Sequence, residues 1–178
     1  EGLGEAHQVT DAIRWHKQGG IVTFCWHWMV PTDPQADENG SAFTGAAFYE
    51  CLFSGCCFTQ CRLPSGFFQD CRLEGCKLDG ADLRRVRLRR CALEDTLVRY
   101  ANWNAAVLDQ CTLKSCDLTE SALSECRLSK LSFDSVNLTG AELFKTSFRG
   151  LDLSRCTLDG VALSASCAEL KGATIHAS

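Results

Sequence analysis

Large apolar residues recur at every fifth position of the chain, from Phe43 through Phe48 and Phe53 to Leu163. The series has 25 consecutive members without a polar interruption. We call these residues the centres. A period of five fits neither an α-helix, at 3.6 residues per turn, nor a strand, where side chains alternate with a period of two. The pattern therefore predicts a repeated corner rather than ordinary helices or strands.

A second series of inward positions lies two residues before each centre. Its members between residues 41 and 161 are mostly small, none is charged, and ten of the 13 cysteines belong to it. If each unit of five makes one side of a square, four units make one coil. Coils then stack through backbone hydrogen bonds about 4.8 Å apart. Twenty-five units would make 6.25 coils, a rod about 30 Å long.

This pattern resembles the pentapeptide-repeat family, whose motif is A(D/N)LXX. The nearest copies are Ala81-Asp82-Leu83 and Ala141-Glu142-Leu143, each preceded by glycine. The resemblance covers residues 41–165 and implies an all-β fold, a right-handed quadrilateral β-helix. We predict three parts, namely a non-repeat segment at 1–40, the β-helix at 41–165, and a C-terminal extension at 166–178.

The segment at 1–40 does not share the period. Val9, Ala12, Ile13 and His16 lie on one helical face, and the β-branched and aromatic stretch Ile21–Met29 predicts a buried strand. This short α/β-like segment is predicted to be a cap on the open end of the β-helix or a fragment of another protein.

The string from Gly19 to Trp28 resembles a barrel strand of glycoside hydrolase family 26, the β-mannanases. That resemblance implies sugar contacts by Trp26 and His27. The family's His-Glu motif has no counterpart in this chain, and a lone strand cannot close a barrel active site. A β-mannanase fragment therefore stands only as an alternative.

Three stretches resemble quinolone-resistance (Qnr-type) pentapeptide proteins, namely Tyr100–Asn104, Cys116–Ser121 and Glu169–Ile175. The resemblance implies binding to a bacterial type II topoisomerase, DNA gyrase or topoisomerase IV, by mimicry of duplex DNA, with protection from fluoroquinolones. In that group a helix carrying the dimer contact follows. The sequence stops at Ser178, so we predict a truncated extension and doubt a homodimer.

The net charge of −4 argues against a chain that binds nucleic acid directly through overall basicity. Residues 41–165 carry 15 basic and 15 acidic side chains. Sorted by side of the square, two adjacent sides have net charge −2 each, the side with Leu88 has +3, and the last has +1. The alternative to mimicry is a scaffold rod without topoisomerase activity. The candidate partner-binding residues on the acidic sides are Glu74, Asp79, Glu94, Asp95, Asp117, Glu120, Asp134, Asp152 and Asp159.

The remaining chemistry favours a binding protein over an enzyme. An odd cysteine count cannot pair completely, so we predict reduced thiols, a cytoplasmic location, and first reaction at the outward Cys57. All four histidines lie outside the repeat, and no nucleophile elbow, P-loop or dinucleotide fingerprint is present. We therefore predict no catalytic residue, metal or cofactor. No apolar stretch reaches the roughly 18 residues that a membrane span needs.

Overall fold

The computed structural model of the chain describes residues 21–22 and 45–176. These residues form an all-β solenoid in which Phe48 lies beside Phe68 and Phe68 beside Leu88. One coil therefore takes four units of five, as the period predicts. The centres define four faces, which we number in the order in which the chain reaches them. The first face has the centres Phe48, Phe68, Leu88, Leu108, Leu128 and Phe148. The second runs from Phe53 to Leu153, the third from Phe58 to Leu158 and the fourth from Leu63 to Leu163, each with one centre per coil.

Two parallel sheets cover the first and second faces. The first-face sheet contains five strands: β2 (Ala47–Tyr49), β4 (Phe67–Gln69), β6 (Arg87–Arg89), β8 (Val107–Asp109) and β10 (Arg127–Ser129). The second-face sheet contains six: β1 (Ile21–Val22), β3 (Leu52–Ser54), β5 (Arg72–Glu74), β7 (Ala92–Glu94), β9 (Thr112–Lys114) and β11 (Ser132–Asp134). Strand β1 pairs in parallel with β3. The rest of the predicted strand Ile21–Met29 and the predicted helix lie outside the described residues.

The third and fourth faces are joined by single parallel bridges instead of strands. One column of bridges runs from Cys57 to Thr157 and the other from Arg62 to Ala162. Most turns on these faces are closed, which means that the N–H three residues after a centre donates to the carbonyl of that centre. Cys61 donates in this way to Phe58, and Ala81 to Leu78, each at 3.0 Å. After Val98 and Leu123 the hydroxyls of Ser121 and Thr146 in the next coil donate to the carbonyl instead. Two faces are therefore built from strands and two from turns.

The register of the core follows the sequence prediction. Every described centre from Phe48 to Leu153 is buried, except Leu128 and Phe133, which are half-buried. Leu158 and Leu163, in the last units of the period, are also half-buried. No described centre is exposed, so the five-residue pattern identifies the inward positions correctly.

The small inward residues also act as hydrogen-bond donors. The Cys71, Cys91 and Cys111 thiols each donate to the carbonyl of a first-face centre in the preceding coil, at 3.4–3.5 Å. Cys116 does the same on the second face, to the Leu93 carbonyl at 3.3 Å. The Thr96 hydroxyl lies 3.3 Å from the Leu73 carbonyl, but its shorter contact, at 2.8 Å, is to the Glu94 carbonyl. The turns after the centres that accept from a thiol lack the backbone hydrogen bond of a closed turn. The carbonyl of each of these centres therefore accepts its hydrogen bond from the side chain in the next coil instead.

The two sheets end at β10 and β11 although the solenoid continues. Residues 147–154 form no bridge to β10 or β11, whereas the third and fourth faces stay bridged there through Asn137 with Thr157 and Glu142 with Ala162. The coils are therefore open along two faces and joined along the other two. Leu128 and Phe133, the half-buried centres, lie at this opening.

The opening coincides with a change of turn. After Phe148 and Leu153 the turns are closed, by bonds from Leu151 and Cys156 at 3.0 and 2.9 Å. Asp152 accepts the Ser154 N–H at 2.9 Å, and Ser147 accepts the Arg149 N–H at 3.4 Å. Such local side-chain bonds compete with a strand ladder. In earlier coils the same outward position on these two faces never carries Asp or Asn, and the backbone stays extended.

Residues beyond the last centre continue the winding. Phe148 donates to the Glu169 carbonyl and Leu153 to the Thr174 carbonyl, at 2.8 and 2.7 Å. A 3₁₀ turn at Ala168–Leu170 brings the side chain of Glu169 inward. Its carboxylate accepts N–H bonds from Lys145 and Ser164 and the Ser164 hydroxyl at 2.8 Å. The period thus stops at Leu163 but the coil does not.

Candidate functional site

The charged side chains divide the rod into opposite faces. The first face is basic and the third is acidic, and in a four-sided coil these two faces point in opposite directions. Face-by-face charges from the sequence assume that every group is free. The structure shows which of them are already neutralised by a neighbour.

Four of the nine predicted partner-binding carboxylates are in ion pairs. Arg72 contacts Glu74 at 2.7 Å and Glu94 at 3.7 Å. Arg99 contacts Asp79 at 2.5 Å, and Arg155 contacts Asp134 at 2.8 Å. The hydrogen bond from Arg99 holds the pKa of Asp79 below its ordinary value. Exposed pairs of this kind add little stability, but they reduce the negative charge that a partner would meet.

The carboxylates of two further predicted residues accept hydrogen bonds within turns. Asp117 accepts the N–H of Thr119 at 3.1 Å and its hydroxyl at 2.5 Å. Asp152 accepts the Ser154 N–H, and bonds to Ser154 lower the pKa of Asp152. These carboxylates occupy the second position of the repeat motif, where Asn137 makes the same bond to Thr139. Local folding therefore explains why an Asp stands at each of these two positions. One carboxylate oxygen of each can still face a partner.

The last three predicted residues, Asp95, Glu120 and Asp159, are exposed and have no ion pair within the described range. Together with Asp117 they form what we call the acidic edge, which runs along the third face and its corner with the second face. In the last three coils this face carries no basic residue. The edge spans three coil steps, about 14 Å, over which duplex DNA carries about eight charges.

The first face carries the largest group of unneutralised charges. Arg90 pairs with Asp70 through two bonds at 2.6 and 2.7 Å. The others are exposed and have no ion pair to a described residue: Arg87, Arg89, Arg127, Lys130 and Arg149. The sequence shows this side to be basic, but only the structure shows that most of its charge is free.

All twelve cysteines within the described residues are free thiols. Burial raises the pKa of Cys116 and of Cys126 to about 11. Cys57 is exposed, and a hydrogen bond with Thr59 lowers its pKa. Cys116 and Cys126 are therefore poor nucleophiles and poor metal ligands at neutral pH, because both roles need the thiolate.

Trp26 and His27, the candidate sugar contacts, lie outside the described residues. Within residues 45–176, no group of three or more His, Cys, Asp or Glu side chains is arranged to hold a metal ion. The described part of the chain also holds no helix of the length and hydropathy that a bilayer span requires.

Two family models match the chain. A model described as a pentapeptide repeat region matches residues 99–163, and a model of eight copies of pentapeptide repeats matches residues 68–98. The adjoining matches cover more than half of the chain. Both lie outside residues 1–37, so the likeness of that segment to a β-mannanase fragment stays a prediction. None of the curated proteins compared with the chain matches its sequence.

Solved structures share the architecture at low identity. A pentapeptide repeat protein from the Arabidopsis thaliana thylakoid lumen is 21% identical with a TM-score of 0.51, covering 67% of this chain and 84% of its own. Rfr23 from the cyanobacterium Cyanothece 51142 is 15% identical with a TM-score of 0.42, covering 73% and 91%. Full-length QnrB1, a plasmid-mediated fluoroquinolone resistance protein, is 19% identical with a TM-score of 0.28, covering 72% and 89%. At such identities the likeness concerns the fold alone.

Proposed function

Because the chain belongs to the pentapeptide-repeat family, we propose that it is a non-enzymatic, protein-binding solenoid of the bacterial cytoplasm. Its partner is a bacterial type II topoisomerase, DNA gyrase or topoisomerase IV. The acidic edge docks on the enzyme's basic DNA-binding surface and in this way protects the enzyme from fluoroquinolones.

The observation that carries this proposal is the acidic edge itself. Asp95, Glu120 and Asp159 remain free in a rod where most other candidate carboxylates are paired or bonded to turns. No basic residue lies beside them on the third face after Arg99, which is itself paired with Asp79. The edge has about half the charge density of duplex DNA, so the proposed mimicry is local rather than along the whole rod.

Titration of labelled chain into purified gyrase tests the proposal, with DNA supercoiling in the presence of a fluoroquinolone as the second readout. Binding should weaken as salt rises, because the Debye length is about 8 Å at physiological ionic strength. Asp95→Asn, Glu120→Gln and Asp159→Asn together should weaken binding at least severalfold and remove protection. These positions are exposed, so the variant should fold normally.

A matched triple change on the opposite face provides the control. Arg87→Gln, Arg89→Gln and Arg127→Gln alter the same number of free charges and should leave gyrase binding as strong or slightly stronger. Binding that ignores salt and the acidic triple change would reject the proposal.

A scaffold rod without topoisomerase activity is the second candidate. The observation in its favour is the internal pairing of Glu74, Glu94 and Asp134 on the second face and of Asp79 on the third, which neutralises much of the acidic surface. No binding to gyrase or topoisomerase IV at low salt would favour this interpretation.

A further inference from the structure

The opening after β10 leaves a strand edge free on the first face. In intact coils the corner residue donates to the next coil, as Arg90 donates to Asp109 and Gln110 to Ser129, at 2.9 Å each. The equivalent bond from Lys130 to Arg149 is not formed, and residues 147–150 do not pair with β10. We call the space between β10 and residues 147–150 the slot.

Apolar side chains form the floor of the slot. Leu128 is half-buried, and Phe148 is the next centre of the same face. Phe133 packs against Phe148 with ring centroids 6.0 Å apart. A cavity lies beneath these side chains and is lined entirely by centres, among them Leu108 and Leu138.

Basic side chains form the rim. Arg127 and Lys130 stand on the β10 side and Arg149 stands on the opposite side. All three are exposed, and none has an ion pair with a described residue. A strand lying in the slot would place alternate side chains outward, next to this rim, and those between them inward, above Leu128 and Phe148.

We propose that the slot binds an extended segment of a partner protein with an acidic–apolar–acidic pattern, which adds a strand to the free edge of β10. The backbone edge supplies hydrogen bonds, the floor accepts the apolar side chain, and the rim pairs with the two carboxylates. Strand addition of this kind is a general mode of peptide recognition. It uses the face opposite the acidic edge and is independent of topoisomerase binding.

A nucleic acid could use the basic rim but not the backbone edge or the apolar floor. The second face beside the slot also carries Asp134, which is paired with Arg155, and Asp152, which has no ion pair with a described residue and opposes a phosphate backbone. A short peptide confined to the first face avoids them. The observations therefore favour a peptide over a polyanion.

The test is a titration of the whole chain, labelled with ¹⁵N, with the capped peptide Glu-Val-Glu-Val-Glu, followed by NMR and by amide hydrogen exchange. We expect the amides of Leu128 and Lys130 to shift and to become protected, while amides of β4 stay unchanged. Two peptide controls separate the contributions: Lys-Val-Lys-Val-Lys reverses the charge, and alternate N-methylation of the acidic peptide removes its donors. Both should bind at least fivefold more weakly.

The protein control is the triple change Arg127→Gln, Lys130→Gln and Arg149→Gln, compared with Arg85→Gln, Arg87→Gln and Arg89→Gln on an intact coil, where the three side chains are also exposed. The first should weaken peptide binding threefold to tenfold, the range expected for a few cross-strand charge pairs. The second should not. Equal binding of the N-methylated peptide, or stronger binding of a ten-nucleotide oligothymidylate at the same amides, would overturn strand addition.

Discussion

The coils up to the end of β11 and the coil that follows it have the same pattern of inward residues. Their backbones differ on the first and second faces. Up to β11, the first and second faces are strands, with thiols from the next coil donating to many of their carbonyls. After it, Ser147 and Asp152 accept N–H groups two residues ahead and the turns close. The break in pairing thus coincides with local side-chain acceptors and closed turns, although both kinds of coil bury their centres.

The most severe way to break the paired region is a charge at its core. Leu113 in β9 is 1% exposed, and Leu113→Asp should unfold the rod, because an unpaired buried charge costs several kcal/mol. Ser115→Asp, at an exposed corner position that Asp95 occupies in the preceding coil, should leave stability nearly unchanged. Urea unfolding followed by circular dichroism measures both. A cooperatively folded Leu113→Asp would contradict the assigned register.

Thiol reactivity compares the two regions directly. With iodoacetamide and peptide mass spectrometry, we expect Cys57 to react first, then the half-buried Cys156 beside the opening, then Cys116 in the paired region. Cys57 has a lowered pKa, so it holds more thiolate at neutral pH, whereas burial raises the pKa of Cys156 and Cys116. Cys116 should be protected about 10³-fold or more, since its exposure requires unfolding. Equal rates for Cys116 and Cys156 would show that the opening does not admit solvent.

The thiol donors can be tested one at a time. Cys116→Ala removes the donor to the Leu93 carbonyl and should destabilise the rod by about 1–2 kcal/mol. Cys116→Ser keeps a donor and should recover part of that loss. Cys57→Ala, at an exposed position, is the matched control and should have no measurable effect in the same unfolding assay.

A variant that restores pairing across the opening tests the same difference between the two regions. Ser147→Val with Asp152→Ala removes both local acceptors and copies residues found on these faces at Val107 and Ala92. We expect Lys130 and Ser135 amides to exchange more slowly, with a gain in stability of about 1 kcal/mol or less. Asp159→Thr makes the same charge change away from the opening. Unchanged exchange at Lys130 would mean that the local acceptors do not cause the break.

The smallest expected effect is local to the C-terminal turn. Hydrogen bonds from its own backbone N–H, Lys145 and Ser164 hold the pKa of Glu169 below its ordinary value. A lowered pKa in the folded state gives stability above the unfolded pKa, which is lost as pH falls through the folded pKa. NMR shifts of the Lys145 and Ser164 amides should therefore titrate below pH 4.5, the ordinary value of the carboxyl. Glu169→Gln should abolish that titration.

Much of the candidate surface could be predicted from the sequence, but its electrostatic state could not. Position in the repeat places Asp95, Glu120 and Asp159 outward, as it does Asp79 and Asp134. Only the contacts between neighbouring coils show that Arg99 and Arg155 neutralise the latter two. The basic first face was likewise visible as a net charge, whereas the free state of Arg127, Lys130 and Arg149 depends on which neighbours the coil brings near.

The sequence by itself determined the fold of the repeat, because a five-residue period with two inward positions allows few backbones and fixes the face of every residue. The domain boundaries at 40 and 165 and the cap role of the first segment remain predictions. The tertiary structure alone decided which corners close, where the ladder breaks, and that residues 168–174 extend the last coil. These features depend on hydrogen bonds between coils, whose partners lie a full coil apart along the chain and carry no signal within a single unit of five.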